Sequence, residues 1–267
     1  AARKGRRAVT SQETREACDK VRFGKERRSL EMDQNEKRTT AFHESGHAIV
    51  GLSVKYCDPV DKVTIIPRGF SLGATHFLPK KNRLNYWRKE IIDQLAVLLG
   101  GRAAEEIYLE DMSSGAQQDI TQATKLARAM VCEWGMSDDL GTVTYDEKSG
   151  GGEYLGMGGY HEKTYSNETA QKIDKEVKKI IDDAHKRAQE IVKTQEDKLK
   201  MMADMLMEFE TLDSNDIKDI MDGTWDSEKK KKKIIDADSL QKKLPPPPPP
   251  IKDKLSKSGD EPTMQEG

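Results

Sequence analysis

The sequence lacks three features that would each define a class of protein. No apolar run approaches the roughly 18 residues that a membrane-spanning helix needs, so we expect the chain itself to be soluble. Its three cysteines, Cys18, Cys57 and Cys132, have no paired spacing, which argues against a disulfide framework or a cysteine zinc site. A basic excess is also missing, because 45 Lys and Arg face 47 Asp and Glu. That balance is atypical of nucleic-acid-binding proteins, and we expect no nucleic-acid partner.

The composition indicates that part of the chain lies outside a packed core. Hydrophobic residues make up 35% and charged residues 34% of the 267 residues, and both values are more polar than in an ordinary globular domain. The length allows one or two domains and a tail. Residues 229–233 are five lysines and residues 245–250 are six prolines. We therefore predict a disordered Lys/Pro-rich tail over residues 226–267, to which we assign no function.

The hydrophobic periodicity predicts a mainly α-helical fold with a small β-sheet and a helical bundle at the C-terminal end. Asp33 and Glu36 have the spacing of a capping box that starts the first helix. The predicted helices cover residues 34–54, 87–108, 117–134 and 167–209, with a bend or a break at 194–198 in the last. Short β-rich runs at 62–66 and 72–78 flank a turn-forming cluster, and the glycine-rich residues 143–160 predict a loop.

Two glycines, Gly100 and Gly101, lie inside the predicted helix 87–108. Each costs about 1 kcal/mol of helix stability relative to alanine. We therefore expect another backbone to approach the helix closely at this point.

The motif with the clearest chemistry is His43-Glu44-Ser45-Gly46-His47. Residues four apart lie on one face of a helix, so His43 and His47 can hold one Zn²⁺ at about 2.0–2.1 Å from each imidazole. Glu44 can reach a water on that metal and take its proton as the water attacks a carbonyl. Apolar flanking residues indicate a buried helix, in which such a polar cluster without a metal would be costly.

A catalytic zinc site needs a third protein ligand and one open position. The other histidines, His76, His161 and His185, do not extend the motif in any known spacing. The acidic candidates are Glu105, Glu106 and Asp119. Spacing alone favours Glu105, because a glutamate on a following helix is common among zinc peptidases, but it does not decide between the three.

Several segments between residues 26 and 222 together resemble the peptidase domain of the FtsH family, the membrane-anchored AAA zinc proteases. In chain order they are ERRS (26–29), FHESGHA (42–48), VTIIPRG (63–69), GGRAAEE (100–106), SGAQQDI (114–120), WGMS (134–137) and YLG (154–156). The resemblance implies that Asp119 is the third ligand of one zinc ion per subunit. It also implies that Glu105 supports a zinc-bound histidine from outside the coordination sphere.

The resemblance further implies how substrate binds. The strand at 72–78 would be an edge strand to which an extended polypeptide adds itself by backbone pairing. The residues that would contact the substrate are Gly73, Ala74, Thr75, His76 and Phe77. His76 is expected on the surface or on a pocket wall rather than in catalysis.

The family also implies a larger assembly around this chain. Residues 1–28 resemble the trailing end of an ATPase lid, and residues 29–225 resemble the zinc metallopeptidase domain. The chain has no Walker A motif, so ATP is implied only for an AAA ATPase module absent here. A homohexamer at the cell inner membrane, with the peptidase on the cytoplasmic side, would degrade unfolded or membrane proteins. The alternative is a non-enzymatic helical assembly module in which zinc is structural or absent.

Overall fold

The computed structural model describes residues 9, 14, 17–21, 24–27, 32–69, 71–79, 85–145, 147–149, 161–163 and 165–242. The chain divides into two units. The larger unit spans Lys25–Asp226, and the smaller unit comprises Ala1–Gly24 and Ser227–Gly267. The functional assignment of residues 1–28, 29–225 and 226–267 to separate segments stays a prediction.

The larger unit is mainly α-helical, as the sequence predicts. Its elements in chain order are α1 (Gln34–Ser53), β1 (Val60–Thr64), β2 (Ala74–Phe77), α2 (Arg88–Tyr108), a 3₁₀ helix (Ser114–Ala116), α3 (Gln117–Cys132), β3 (Glu147–Ser149), β4 (His161–Lys163), α4 (Asn167–Thr194), α5 (Glu196–Phe209), β5 (Thr211–Asp213) and α6 (Ser214–Met221). Helix α7 (Ser227–Lys242) belongs to the smaller unit.

The helix boundaries follow local sequence features. The Asp33 side chain accepts a bond from the Glu36 backbone N–H, and the Glu36 side chain accepts one from the Asp33 N–H, which confirms the capping box. Helix α3 ends two residues earlier than predicted and is followed by Gly135, whose φ of 58° is the left-handed conformation that glycine tolerates. The predicted break falls at Gln195, between α4 and α5.

Helix α1 lies at the centre of the core, since residues 40–51 are all buried. Helices α2 and α5 pack against it, and α4 packs along α2. The backbones of α1 and α2 approach each other so closely that a Cβ on Gly46 would overlap the carbonyl oxygen of Gly100. The close approach predicted at Gly100 is therefore confirmed, and it fixes how α1, which carries His43, Glu44 and His47, crosses α2, which carries Glu105.

Gly46→Ala is expected to destabilise the larger unit by about 1–3 kcal/mol, the usual cost of overpacking a core. The sign of this change in unfolding free energy is informative, because alanine normally stabilises a helix interior by about 1 kcal/mol relative to glycine. Denaturant-induced unfolding measures the difference. Ser45→Ala is the matched control, because the buried Ser45 hydroxyl has no hydrogen-bond partner among the described residues. A Gly46→Ala variant as stable as the wild type would contradict the close helix crossing.

Three strands of the larger unit form a small antiparallel sheet in the order β2-β1-β5, and β3 and β4 form a separate pair. Val63 in β1 pairs with Thr75 on one side and with Leu212 on the other. Strand β2 is therefore an edge strand within the described sheet, as expected. Strand β1 begins and ends two residues before the predicted run, and β5 is not predicted from the sequence.

Two sequence-based predictions need correction. Strand β3 lies inside the stretch 143–160, which the sequence predicts as a loop. It is a strand because it pairs with β4, which lies outside that stretch, and glycine content does not reveal such pairing. Residues 146 and 150–160 lie outside the described residues. Disorder is the wrong prediction for Ser227–Lys242, which forms α7. That stretch contains no proline or glycine and many good helix formers. The proline run lies outside the described residues.

No helix among the described residues has both the length and the apolar character needed to cross a bilayer.

Candidate metal centre

Helix α1 presents two buried histidines to the same point. His43 and His47 are each 8% exposed, and their ring centroids lie 4.6 Å apart with the ring planes at 83°. The two Nε2 atoms are 3.0 Å apart. The four-residue spacing thus produces the convergence that the sequence predicts.

Asp119 completes the group from the first turn of α3. Its Oδ2 atom lies 3.2 Å from Nε2 of His43 and 3.5 Å from Nε2 of His47. Ligand atoms at about 2.0–2.2 Å from a tetrahedral zinc lie about 3.3–3.6 Å from one another. The three atoms lie 3.0–3.5 Å apart, slightly closer than that spacing, and they form a group that could hold a metal.

The outer nitrogen of each imidazole fixes its tautomer. Nδ1 of His43 lies 2.7 Å from Oε1 of Glu105, and Nδ1 of His47 lies 2.7 Å from the carbonyl oxygen of Val97. Both partners are acceptors, so each Nδ1 must donate its proton. When neither Nε2 carries a proton, each directs a lone pair towards the other and towards the carboxylate of Asp119. Three acceptor atoms facing one point fit a bound cation, and the donor set suits zinc.

The surrounding carboxylates favour positive charge at this point, which either a proton on His43 or a metal ion supplies. Burial lowers the pKa of His43, but hydrogen bonds to Asp119 and Glu105 outweigh burial and raise it to about 10. Burial raises the pKa of Asp119, yet its hydrogen bonds to the two histidines bring it well below its usual range. For Glu105, burial raises the pKa, but the hydrogen bonds to His43 and Ser113 together outweigh burial and lower it.

Gly101 makes room for one of the two imidazoles. A Cβ at this position would lie 2.6 Å from Cε1 of His43. The two helix glycines predict a backbone neighbour at both positions, but at Gly101 the neighbour is the His43 side chain. A glycine is needed here because His43 lies directly against helix α2.

Glu44 lies beside the group and is 6% exposed. Its Oε2 atom accepts a hydrogen bond of 2.7 Å from the hydroxyl of Thr75, which also lies 3.0 Å from the Glu44 backbone oxygen. On the other side, a Cβ on Gly73 would lie 2.9 Å from Oε1 of Glu44. The edge strand and the residue before it therefore position this carboxylate, a contact between distant segments that the sequence analysis missed.

The group opens into a cleft of about 1490 Å³. Gly73, Ala74, Thr75 and Phe77 line it along the edge strand. His76 is 7% exposed and is not among the cleft-lining residues, which agrees with the alternation of side chains along a strand. The expectation that His76 lies on the surface or on a pocket wall is therefore wrong.

The remaining candidates for a third ligand lie elsewhere. Oε2 of Glu106 is 3.0 Å from Nε2 of His185, and its other oxygen accepts from Arg102. Glu105 faces Nδ1 of His43, on the side away from Nε2. The side chain of His161 lies outside the described residues. The structure thus brings Asp119 to the two Nε2 atoms, while the ligand roles themselves stay predictions.

Most of the chain is similar in sequence to a known peptidase family. The sequence profile of peptidase family M41 matches residues 30–220. The chain is 66% identical over 230 residues to the ATP-dependent zinc metalloprotease FtsH of Chlamydia trachomatis serovar L2, covering 86% of this chain and 25% of that protein. The corresponding protein of Protochlamydia amoebophila is 65% identical over 231 residues, with coverages of 86% and 25%. The chain thus spans about a quarter of the length of these relatives.

Proposed function

The chain belongs to peptidase family M41, and from this membership we propose that it is the proteolytic domain of an FtsH-like ATP-dependent zinc metalloendopeptidase. The observation that carries the proposal is the convergence of two imidazole nitrogens and the Asp119 carboxylate within 4.8 Å, beside the carboxylate of Glu44. The relatives carry zinc in their names, which supports Zn²⁺ as the metal.

His43, His47 and Asp119 would hold one zinc ion per subunit. When bound, zinc supplies Lewis acidity that lowers the pKa of a water towards 7 and polarises the peptide carbonyl. Glu105 and the carbonyl of Val97 keep the two imidazoles in the tautomer that exposes Nε2.

Glu44 is the general base in this proposal. Its carboxylate takes a proton from the attacking water as the new carbon–oxygen bond forms, and passes that proton to the amide nitrogen as the carbon–nitrogen bond breaks. Thr75 donates to Oε2 of Glu44 and so holds the carboxylate in one orientation. The low exposure of Glu44 limits competing hydrogen bonds to water.

The edge strand β2 is the proposed substrate site. An extended polypeptide adds to the side of β2 opposite β1 through backbone hydrogen bonds, while Thr75 and Phe77 face the cleft. Backbone pairing is independent of most side chains, so this mode of binding suits a protease of broad specificity.

The activity of the whole protein is part of the proposal. We expect unfolded or membrane proteins as substrates, delivered by a partner AAA ATPase module, because the relatives are named ATP-dependent. We further propose that the full-length protein is a homohexamer and that a membrane anchor outside this chain holds it at the inner membrane. The peptidase would then lie on the cytoplasmic side.

Metal removal tests the proposal directly. The chain is expected to carry one zinc per subunit, to cleave an unfolded protein, to lose both zinc and cleavage on chelation, and to regain both on refilling. Native mass spectrometry measures zinc and subunit number together, and a gel-based assay measures cleavage. A chain that binds no zinc, or that gains no hydrolysis on refilling, would favour the non-enzymatic assembly module instead.

A further inference from the structure

Ser113 lies in the connection between α2 and the 3₁₀ helix and makes an unusual set of contacts. Its hydroxyl donates to Oε1 of Glu105 at 3.0 Å, and its backbone N–H donates to Oε2 of the same carboxylate at 3.0 Å. Its hydroxyl also accepts from the backbone N–H of Gly115 at 3.1 Å. One residue thus holds both oxygens of Glu105 and the start of the next helical segment.

The contacts of Ser113 decide how Glu105 is oriented. Glu105 is 1% exposed, so its carboxylate depends on protein donors rather than on water. Among the described residues, Ser113 provides two hydrogen bonds to it and His43 provides a third. Since Oε1 receives both the Ser113 hydroxyl and Nδ1 of His43, the serine sets the position of the oxygen that fixes the imidazole.

Ser113 also helps to set the position of Asp119. Ser113 is the N-cap of the 3₁₀ helix, which continues directly into α3, and Asp119 lies in the first turn of α3. The carbonyl of Ser113 accepts a 3.2 Å bond from Arg102 on α2. Ser113 therefore connects the helix that bears Glu105 with the helix that bears Asp119.

We propose that Ser113 is a positioning residue of the metal centre, which ties the carboxylate behind His43 to the helix that presents Asp119. The inference rests on the proposed function, because it assigns Ser113 a role in how this chain holds zinc. Ser113 acts through Glu105 and through the start of α3, and its hydrogen bonds go to Glu105, Arg102 and Gly115.

Zinc affinity of the full 267-residue chain tests the role. Loss of an outer partner of a metal ligand costs about 10–100-fold in affinity, and we expect Ser113→Ala to raise the zinc dissociation constant about tenfold, since its N–H remains. Ser114→Ala is the matched control: the same change one residue further on, at an exposed side chain. It should leave the dissociation constant within about twofold of wild type. Competition with a chromogenic chelator measures both constants.

A second pair of variants separates the hydroxyl from the shape of the side chain. Ser113→Thr and Ser113→Val have nearly the same shape, and the extended backbone at Ser113, with φ −89° and ψ 162°, accommodates both. Threonine should restore wild-type affinity and valine should not. The absorption spectrum of the Co²⁺-loaded chain should change with valine and stay unchanged with threonine, which a purely structural role would not produce.

The outcomes distinguish this inference from the proposed function. If the wild type binds no zinc, the proposed function fails first. If the wild type binds zinc and Ser113→Ala binds it as tightly, only the role of Ser113 is overturned. Failure of both the alanine and the valine variants to fold, with threonine folding, would also overturn it, because the hydroxyl would then serve folding. In a Glu105→Gln background, Ser113→Ala should have a smaller effect than in the wild type.

Discussion

Glu44→Gln is expected to lower the rate of peptide hydrolysis about a thousandfold, within the 10²–10⁴ range typical of a general base. The amide has nearly the shape of the carboxylate and its oxygen can still accept from Thr75, so the local structure should persist. It cannot take a proton from water. The zinc content should stay at the wild-type level, because no ligand is changed. Initial cleavage rates of an unfolded protein, with elemental analysis of the same sample, measure both quantities.

Glu36→Gln is the matched control for Glu44→Gln. It makes the same chemical change two turns earlier on α1, and glutamine keeps the capping box that Glu36 forms with Asp33. Its activity should equal that of the wild type. A Glu44→Gln variant that cleaves as fast as the control would mean that another group accepts the proton.

The predictable parts of the fold and site depend on short stretches of sequence. The capping box of Asp33 and Glu36, the imidazole pair on α1 and the break near Gln195 all arise within a few residues of one another. Helical periodicity and known cap chemistry are therefore sufficient to predict them. The close approach at Gly100 was predictable because a glycine in a helix interior is costly without a packing reason.

The parts that sequence reasoning missed depend on contacts between distant segments. Strand β5 has three residues and exists because it pairs with β1, about 150 positions earlier. The hydrogen bond from Thr75 to Glu44 joins residues 31 positions apart, and the sequence around neither residue predicts it. Ser113 has a local indication, since serine favours N-cap positions, but its two bonds to Glu105 depend on the path of the loop.

The choice of Asp119 over Glu105 as third ligand also depends on contacts between distant segments. Spacing alone favoured Glu105, and family resemblance favoured Asp119. In the structure, Glu105 reaches the imidazole of His43 at Nδ1, whereas Asp119 reaches it at Nε2. Two carboxylates therefore contact opposite nitrogens of one ring, and only the three-dimensional structure separates their positions.

Asp119→Asn is expected to weaken zinc binding about a thousandfold. Structural zinc binding is worth about 10–16 kcal/mol in all, so one of three or four ligands accounts for about 3–4 kcal/mol, or about three orders of magnitude. Glu105→Gln makes the same carboxylate-to-amide change behind His43, and should cost only about 10–100-fold, because the imidazole keeps an acceptor at Nδ1. Zinc dissociation constants from chelator competition rank the two. If Glu105→Gln binds zinc more weakly than Asp119→Asn, Glu105 is the ligand, and the carboxylate of Asp119 lies near the metal without binding it.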